Sequence, residues 1–236
     1  MPTMTMTNDQ LAAVAKMLVE AAKQKSINLR VVGGVAIELT CANLAAQPKL
    51  QRARHDLDLV APRGDWHALA GIFAAHGWEA RAHSAHPTFE KDGVTLELFA
   101  PNFGFANFAP RLGLTAPTLP LADLLLIKLQ RVPFADKDRQ DAIALLIEHR
   151  VAAGAADDHI DAAYLGKLCA HNWGLFHRVY DNTIALEQVL DQYLEPEEAQ
   201  LVWRRIETIQ SELDRQPKGL RWMCAQFLRK PTQVPR

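Results

Sequence analysis

Apolar residues recur at helical spacing through Leu11, Val14, Ala15, Leu18, Ala21 and Ala22, which predicts an opening helix over 8–25 with Asn8 or Asp9 placed to cap it. A short β-branched run over 27–32 stops at Gly33-Gly34, the pattern of a strand closed by a turn. Helical character resumes over 35–44, with its N-terminus at the glycines. After a polar, basic link at 47–54 comes Asp56-Leu57-Asp58-Leu59-Val60, where polar and apolar residues alternate with the period of two that a strand requires. The helical period returns over 65–77 through Trp66, Leu69, Ile72 and Phe73, with Gly77 as its C-cap. Residues 78–82 read as a strand. Residues 88–91 and 94–99 read as a hairpin across Asp92-Gly93, a dipeptide suited to the positive φ values of tight turns.

Residues 101–120 are rich in Pro, Gly, Asn and Phe without a clean period, and predict a structured connection. From Leu121 onward the strand signals stop. Helices are predicted over 121–131, 137–150, 158–171, 175–194 and 195–213, with another over 219–229. The expected fold class is α/β (α+β): a lobe with a small mixed sheet over 8–110, then an all-helical lobe over 119–236.

Within this frame one stretch carries chemistry. On a strand Asp56 and Asp58 share a face while Leu57 and Leu59 point into the core. Carboxylates held that close repel each other, and a divalent cation is the usual reason to keep both ionised. The upstream Gly33-Gly34 turn lets the backbone approach an anion, so phosphate can lie against its N–H groups. The pair points to metal-assisted phosphoryl or nucleotidyl chemistry. Glu97 shares a strand face with Thr95 and Phe99, and is a candidate third carboxylate if that strand lies beside Asp56 and Asp58.

Val32-Gly33-Gly34-Val35-Ala36-Ile37 followed by Arg52 to Val60, with its Arg54-His55-Asp56-Leu57-Asp58-Leu59 run, resembles the signature of the polymerase-β-type nucleotidyltransferase superfamily. Over about the first hundred residues it is especially similar to small bacterial adenylyltransferases of aminoglycosides and lincosamides. The resemblance implies that Asp56 and Asp58, with Glu97 as the later carboxylate, bind two magnesium ions when nucleotide is present. It makes Gly33 and Gly34 phosphate contacts, with Arg54, or else Arg52, touching phosphate. A carboxylate at or near Glu97 also serves in such enzymes as general base. The implied reaction moves an NMP from a nucleoside triphosphate to an acceptor hydroxyl and releases pyrophosphate.

A second signature, Leu125-Leu126-Ile127-Lys128-Leu129-Gln130-Arg131 with Lys137-Asp138-Arg139-Gln140-Asp141, resembles the helical segment of abortive-infection (AbiEii-like) nucleotidyltransferase toxins. That resemblance places Lys128 near the triphosphate. Asp138 and Asp141, three apart on one helical face, suit capping and interhelical ion pairs equally well. The acceptor stays open among a small molecule, tRNA or another RNA, and protein. The rival class is a noncatalytic nucleotide-binding or interaction protein that retains the fold.

Composition narrows the rest. With 26 basic and 27 acidic side chains and a net charge of -1 over 236 residues, the whole chain is not an electrostatic nucleic-acid binder. Cys41, Cys169 and Cys224 are odd in number and form no CxxC pair, which argues against a disulfide framework or a zinc site and suits a reducing cytoplasm. No leader-like segment or apolar run of spanning length occurs, so no membrane partner is expected. His83 and His86 lack further ligands at zinc spacing, and 215–236 holds six basic residues and no acidic one, which reads as a solvated face.

Overall fold

The computed structural model describes residues 6–82, 86–154, 158–219 and 222. His83, Cys224 and nearly all of the helix expected over 219–229 lie outside them, as does most of the basic stretch after Lys218. The chain divides into two compact units, Met1–Ile127 and Lys128–Arg236.

In the first unit, α1 (Asn8–Lys23) is followed by β1 (Arg30–Val32), α2 (Gly33–Thr40), β2 (Asp56–Val60), α3 (Trp66–Ala75), β3 (Glu79–Arg81), β4 (Thr88–Lys91) and β5 (Val94–Phe99). The strands form one sheet in the order β1-β2-β5-β4-β3. Only β2 and β5 run parallel; the other neighbours are antiparallel. A parallel pair needs a long crossover, and α3 with the β3–β4 hairpin supplies it. Leu57, Leu59, Val94, Leu96 and Leu98 are fully buried. Phe73 of α3 meets Phe89 of β4 edge-on with ring centroids 5.0 Å apart, and Phe89 is the register partner of Leu96, so α3 covers this face. Burying one such leucine is worth roughly 1.5–3 kcal/mol.

The cap of α1 is Thr7 rather than Asn8 or Asp9: Thr7 Oγ1 accepts from the Gln10 N–H while Gln10 Oε1 accepts from the Thr7 N–H. Asn8 is thereby released to hold the approach to β2. Its Nδ2 donates to the Arg52 carbonyl and its Oδ1 accepts from the Arg54 N–H, each at 3.0 Å. Helix α2 starts at Gly33, two residues earlier than the periodicity suggests, and ends at Thr40, whose hydroxyl donates back to the Ala36 carbonyl. Within 101–120 the connection holds a small antiparallel pair, β6 (Asn102–Phe103) and β7 (Ala106–Asn107).

The unit boundary falls inside α4 (Leu121–Leu129). The second unit is mainly helical, with α5 (Asp136–Glu148), then α6 (Ala162–His171), α7 (Trp173–Glu187), α8 (Leu190–Tyr193) and α9 (Pro196–Arg215). Two three-residue strands, β8 (Arg150–Ala152) and β9 (His159–Asp161), pair in parallel between α5 and α6, where the sequence suggested helix alone. Helix α9 buries Val202, Ile206, Ile209 and Leu213 and packs on α5, α6, α7 and α8. Its contact with α6 is close: a Cβ at Gly166 would lie 2.6 Å from the Glu212 carbonyl oxygen. Because backbone cannot yield as a side-chain end does, Gly166→Ala is expected to destabilise the protein by about 1–3 kcal/mol, read from the urea midpoint. Cys41 and Cys169 are buried, and burial pushes the Cys169 thiol up to about 12, so it stays protonated and unreactive. Among the described residues no helix is long and apolar enough to cross a membrane.

Candidate functional site

The alternation of β2 sets the site. Leu57, Leu59 and Val60 are buried, Asp58 is half-buried and Asp56 is exposed, so the two carboxylates stand on the face opposite the buried leucines. On β5 the half-buried residues are Thr95, Glu97 and Phe99. Register then decides which of these meet. Asp56 is opposite Thr95 and Asp58 is opposite Glu97, while on the other side Val32 is opposite Asp58. Register partners in neighbouring strands present side chains to the same face about 4.8 Å apart. The strand bearing Glu97 therefore lies beside the strand bearing the Asp pair, as the sequence reading required.

Gly33 lies against the Asp58 carboxylate. It has φ +68°, and a Cβ there would sit 2.1 Å from Asp58 Oδ2 and 2.9 Å from Asp58 Cγ. Only glycine takes this conformation and leaves the space open. A Cβ at Gly34 would meet Arg54 Cδ at 3.0 Å, Arg54 Nη1 at 3.1 Å and Arg52 Nη2 at 3.2 Å, so both arginines pack against the turn. Arg54 is only 1% exposed, and its Nε donates to Glu38 Oε1 on α2 at 2.8 Å. This pair ties the approach to β2 to the helix that begins at the glycines. Neither Glu38 nor Asn8 was visible as a partner of this segment in the sequence, because both are distant from it along the chain.

Glu97 has a partner of its own. His86 Nε2 lies 3.2 Å from Glu97 Oε1, and the His86 ring is 4.5 Å from that of Phe99. Among the described residues no three His, Cys, Asp or Glu side chains form a ready-made metal cage. Magnesium does not ask for one: it is ordinarily held by one or two carboxylates, with water and substrate phosphate completing its octahedron. Hard carboxylate oxygens beside a glycine cradle fit that requirement.

Lys128 belongs to the second unit. It is 5% exposed, with Nζ 2.8 Å from Asp141 Oδ2 and 3.7 Å from Asp138 Oδ1. The three-residue spacing on α5 brings both carboxylates to one ammonium. Of the two readings left open for Asp138 and Asp141, this is the ion pair. Asp141→Ala leaves a buried lysine without its nearest counter-charge and is expected to cost about 3–5 kcal/mol. The Lys128→Met, Asp138→Asn, Asp141→Leu triple variant is expected to recover most of that loss in urea denaturation, since it removes the ammonium together with both buried carboxylates and nearly keeps the volume.

No family profile and no curated protein matches the sequence. Solved structures similar to the chain include the antibiotic-resistance factor ANT(2'')-Ia in solution (TM-score 0.41, 17% identity, 59% of this chain and 84% of that one). The crystal structure of ANT(2'')-Ia with adenylyl-2''-tobramycin has a TM-score of 0.41 and 15% identity over 58% of this chain and 87% of that one. An antigenic nucleotidyltransferase-like protein from Paracoccidioides brasiliensis has a TM-score of 0.49 and 15% identity over 91% of this chain and 96% of that one. At these values the case for an activity rests on the residues themselves.

Proposed function

We propose that the chain is a magnesium-dependent nucleotidyltransferase that moves an NMP from an NTP to an acceptor hydroxyl. The observation that carries this reading is the register of β2 with β5, which sets Glu97 opposite Asp58 on the face of Asp56, with Gly33 against the Asp58 carboxylate. Asp56 and Asp58, with Glu97 beside them, would hold the magnesium. When bound, magnesium neutralises triphosphate charge, lowers the pKa of a coordinated acceptor and stabilises the leaving group.

The protein's own part begins with the turn. The N–H groups at Gly33 and Gly34 receive phosphate oxygens, where the start of α2 adds a favourable dipole. Arg54, buried beneath Gly34, braces the turn through Glu38 and adds positive potential there. The acceptor oxygen attacks the α-phosphorus, the bond from that phosphorus to its bridging oxygen breaks, and pyrophosphate leaves. Glu97 accepts the acceptor's proton. Lys128 is read as part of the buried ion cluster of the second unit.

The test is purified protein with magnesium, each labelled NTP, and panels of small hydroxyl compounds, RNA and protein. Appearance of pyrophosphate in step with a labelled acceptor supports the reading; none with any NTP counts against it. Transfer to RNA should fall steeply with added salt, whereas transfer to a neutral small molecule should not. The contact between Glu97 and His86 favours one rival, a noncatalytic nucleotide binder. Calorimetry that finds nucleotide binding indifferent to magnesium and to Asp56→Ala selects that rival.

A further inference from the structure

Arg30, at the start of β1, is 8% exposed and, among the described residues, has no carboxylate partner. Its Nε donates to the Thr115 carbonyl, its Nη1 to the Leu29 carbonyl at 2.7 Å, and its Nη2 to Asn28 Oδ1 at a long 3.5 Å. These are neutral oxygens. They satisfy part of a five-donor guanidinium and leave its charge uncompensated. Burial alone lowers the Arg30 pKa from its ordinary value, as expected of a cation taken from water without a counter-ion. Buried charge of this kind is normally paired.

Arg30 lines a cavity of about 400 Å³ between α1 and the segment at Ala116-Pro117. Lys16 and Lys23, both exposed on α1, line it too. Among the described residues Glu20 is the one acidic residue on its wall, and it lies 3.8 Å from Lys23. Three cations against one carboxylate leave the walls net positive. Val19, Ile27 and Pro117 supply an apolar surface beside them. Arg30 pairs with Val60 at the far end of β1 from Val32, which pairs with Asp58, so this cavity is distinct from the Gly33 and Asp58 cluster.

We propose that this cavity is a binding site for a small organic oxyanion, a carboxylate or phosphate head carried on an apolar body. The head accepts from the unfilled N–H donors of Arg30 and from Lys16, and the body packs on Val19, Ile27 and Pro117. Charge-assisted bonds from a guanidinium fork suit either head.

Calorimetry on the full chain with inorganic phosphate and with benzoate tests this. Saturable binding of either probe at one site, retained in Asp56→Ala/Asp58→Ala, supports the proposal, and the stronger probe identifies the head group. Affinity is expected to fall at least about tenfold in Arg30→Gln and about three- to tenfold in Lys16→Gln/Lys23→Gln, the loss of a charge-assisted contact or two. The lysine pair is exposed, so that variant keeps the test valid if Arg30→Gln unfolds. No saturable binding of either probe overturns the proposal. So does binding that Lys16→Gln/Lys23→Gln leaves unchanged, or binding that disappears in Asp56→Ala/Asp58→Ala.

Discussion

Replacing Asp56 and Asp58 together with alanine is expected to lower nucleotidyl transfer at least about a thousandfold, equivalent to roughly 4 kcal/mol of transition-state stabilisation. The effect should be chemical rather than structural. Asp56 is exposed and Asp58 half-buried, whereas Leu57 and Leu59, the residues of β2 that hold the sheet to its helices, are untouched. Truncating the carboxylates opens no cavity in that core and removes the repulsion between two like charges two residues apart. The unfolding free energy from urea denaturation should therefore change by less than about 1 kcal/mol, while pyrophosphate release falls to background. Magnesium should also lose its influence on nucleotide affinity. A double variant that keeps its rate would remove these residues from the chemistry and leave the β2 alternation as an acidic strand face.

Alternation along single strands was the most legible part of the fold. The polar and apolar faces of β2 and β5, and the hairpin at Asp92-Gly93, follow from a period of two and a turn dipeptide. Strand partnership was not legible to the same degree. Pairing β2 with β5 skips α3, β3 and β4, and no local pattern encodes that choice, so the neighbourhood of Asp58 and Glu97 was only a condition until the register was known. The same nonlocality hid Asn8 and Glu38 as the groups that fix Arg54. It also hid His86, read from sequence only as a poor zinc ligand, as the neighbour of Glu97. The pair β8 and β9 escaped for another reason: three residues are too few to display a period against helical surroundings. At Lys128 the spacing of Asp138 and Asp141 put both acids on one helical face, yet only tertiary packing chose the ion cluster over capping.

Gly33→Ala is expected to be the most damaging single methyl in the first unit, costing about 2–4 kcal/mol of stability and at least about a hundredfold in transfer. Two costs add. An alanine at φ +68° is strained by roughly 1–2 kcal/mol whatever surrounds it. The new methyl would also lie 2.1 Å from Asp58 Oδ2, so the carboxylate must swing away from the position in which it faces the turn. Gly34→Ala is a milder change, because its φ is outside the left-handed region and its neighbours are the ends of Arg54 and Arg52. The two costs at Gly33 separate in a double-mutant cycle with Asp58→Ala. In that background the clash with Oδ2 and Cγ is gone and only the Cβ of residue 58, at 3.0 Å, stays close, so Gly33→Ala should cost little beyond the conformational share, with a coupling of about 1–2 kcal/mol between the sites. Stability recovers in the double variant while transfer does not. A coupling near zero would mean that the turn and the carboxylate do not meet, and with it would go the proposal that phosphate and metal share one site there.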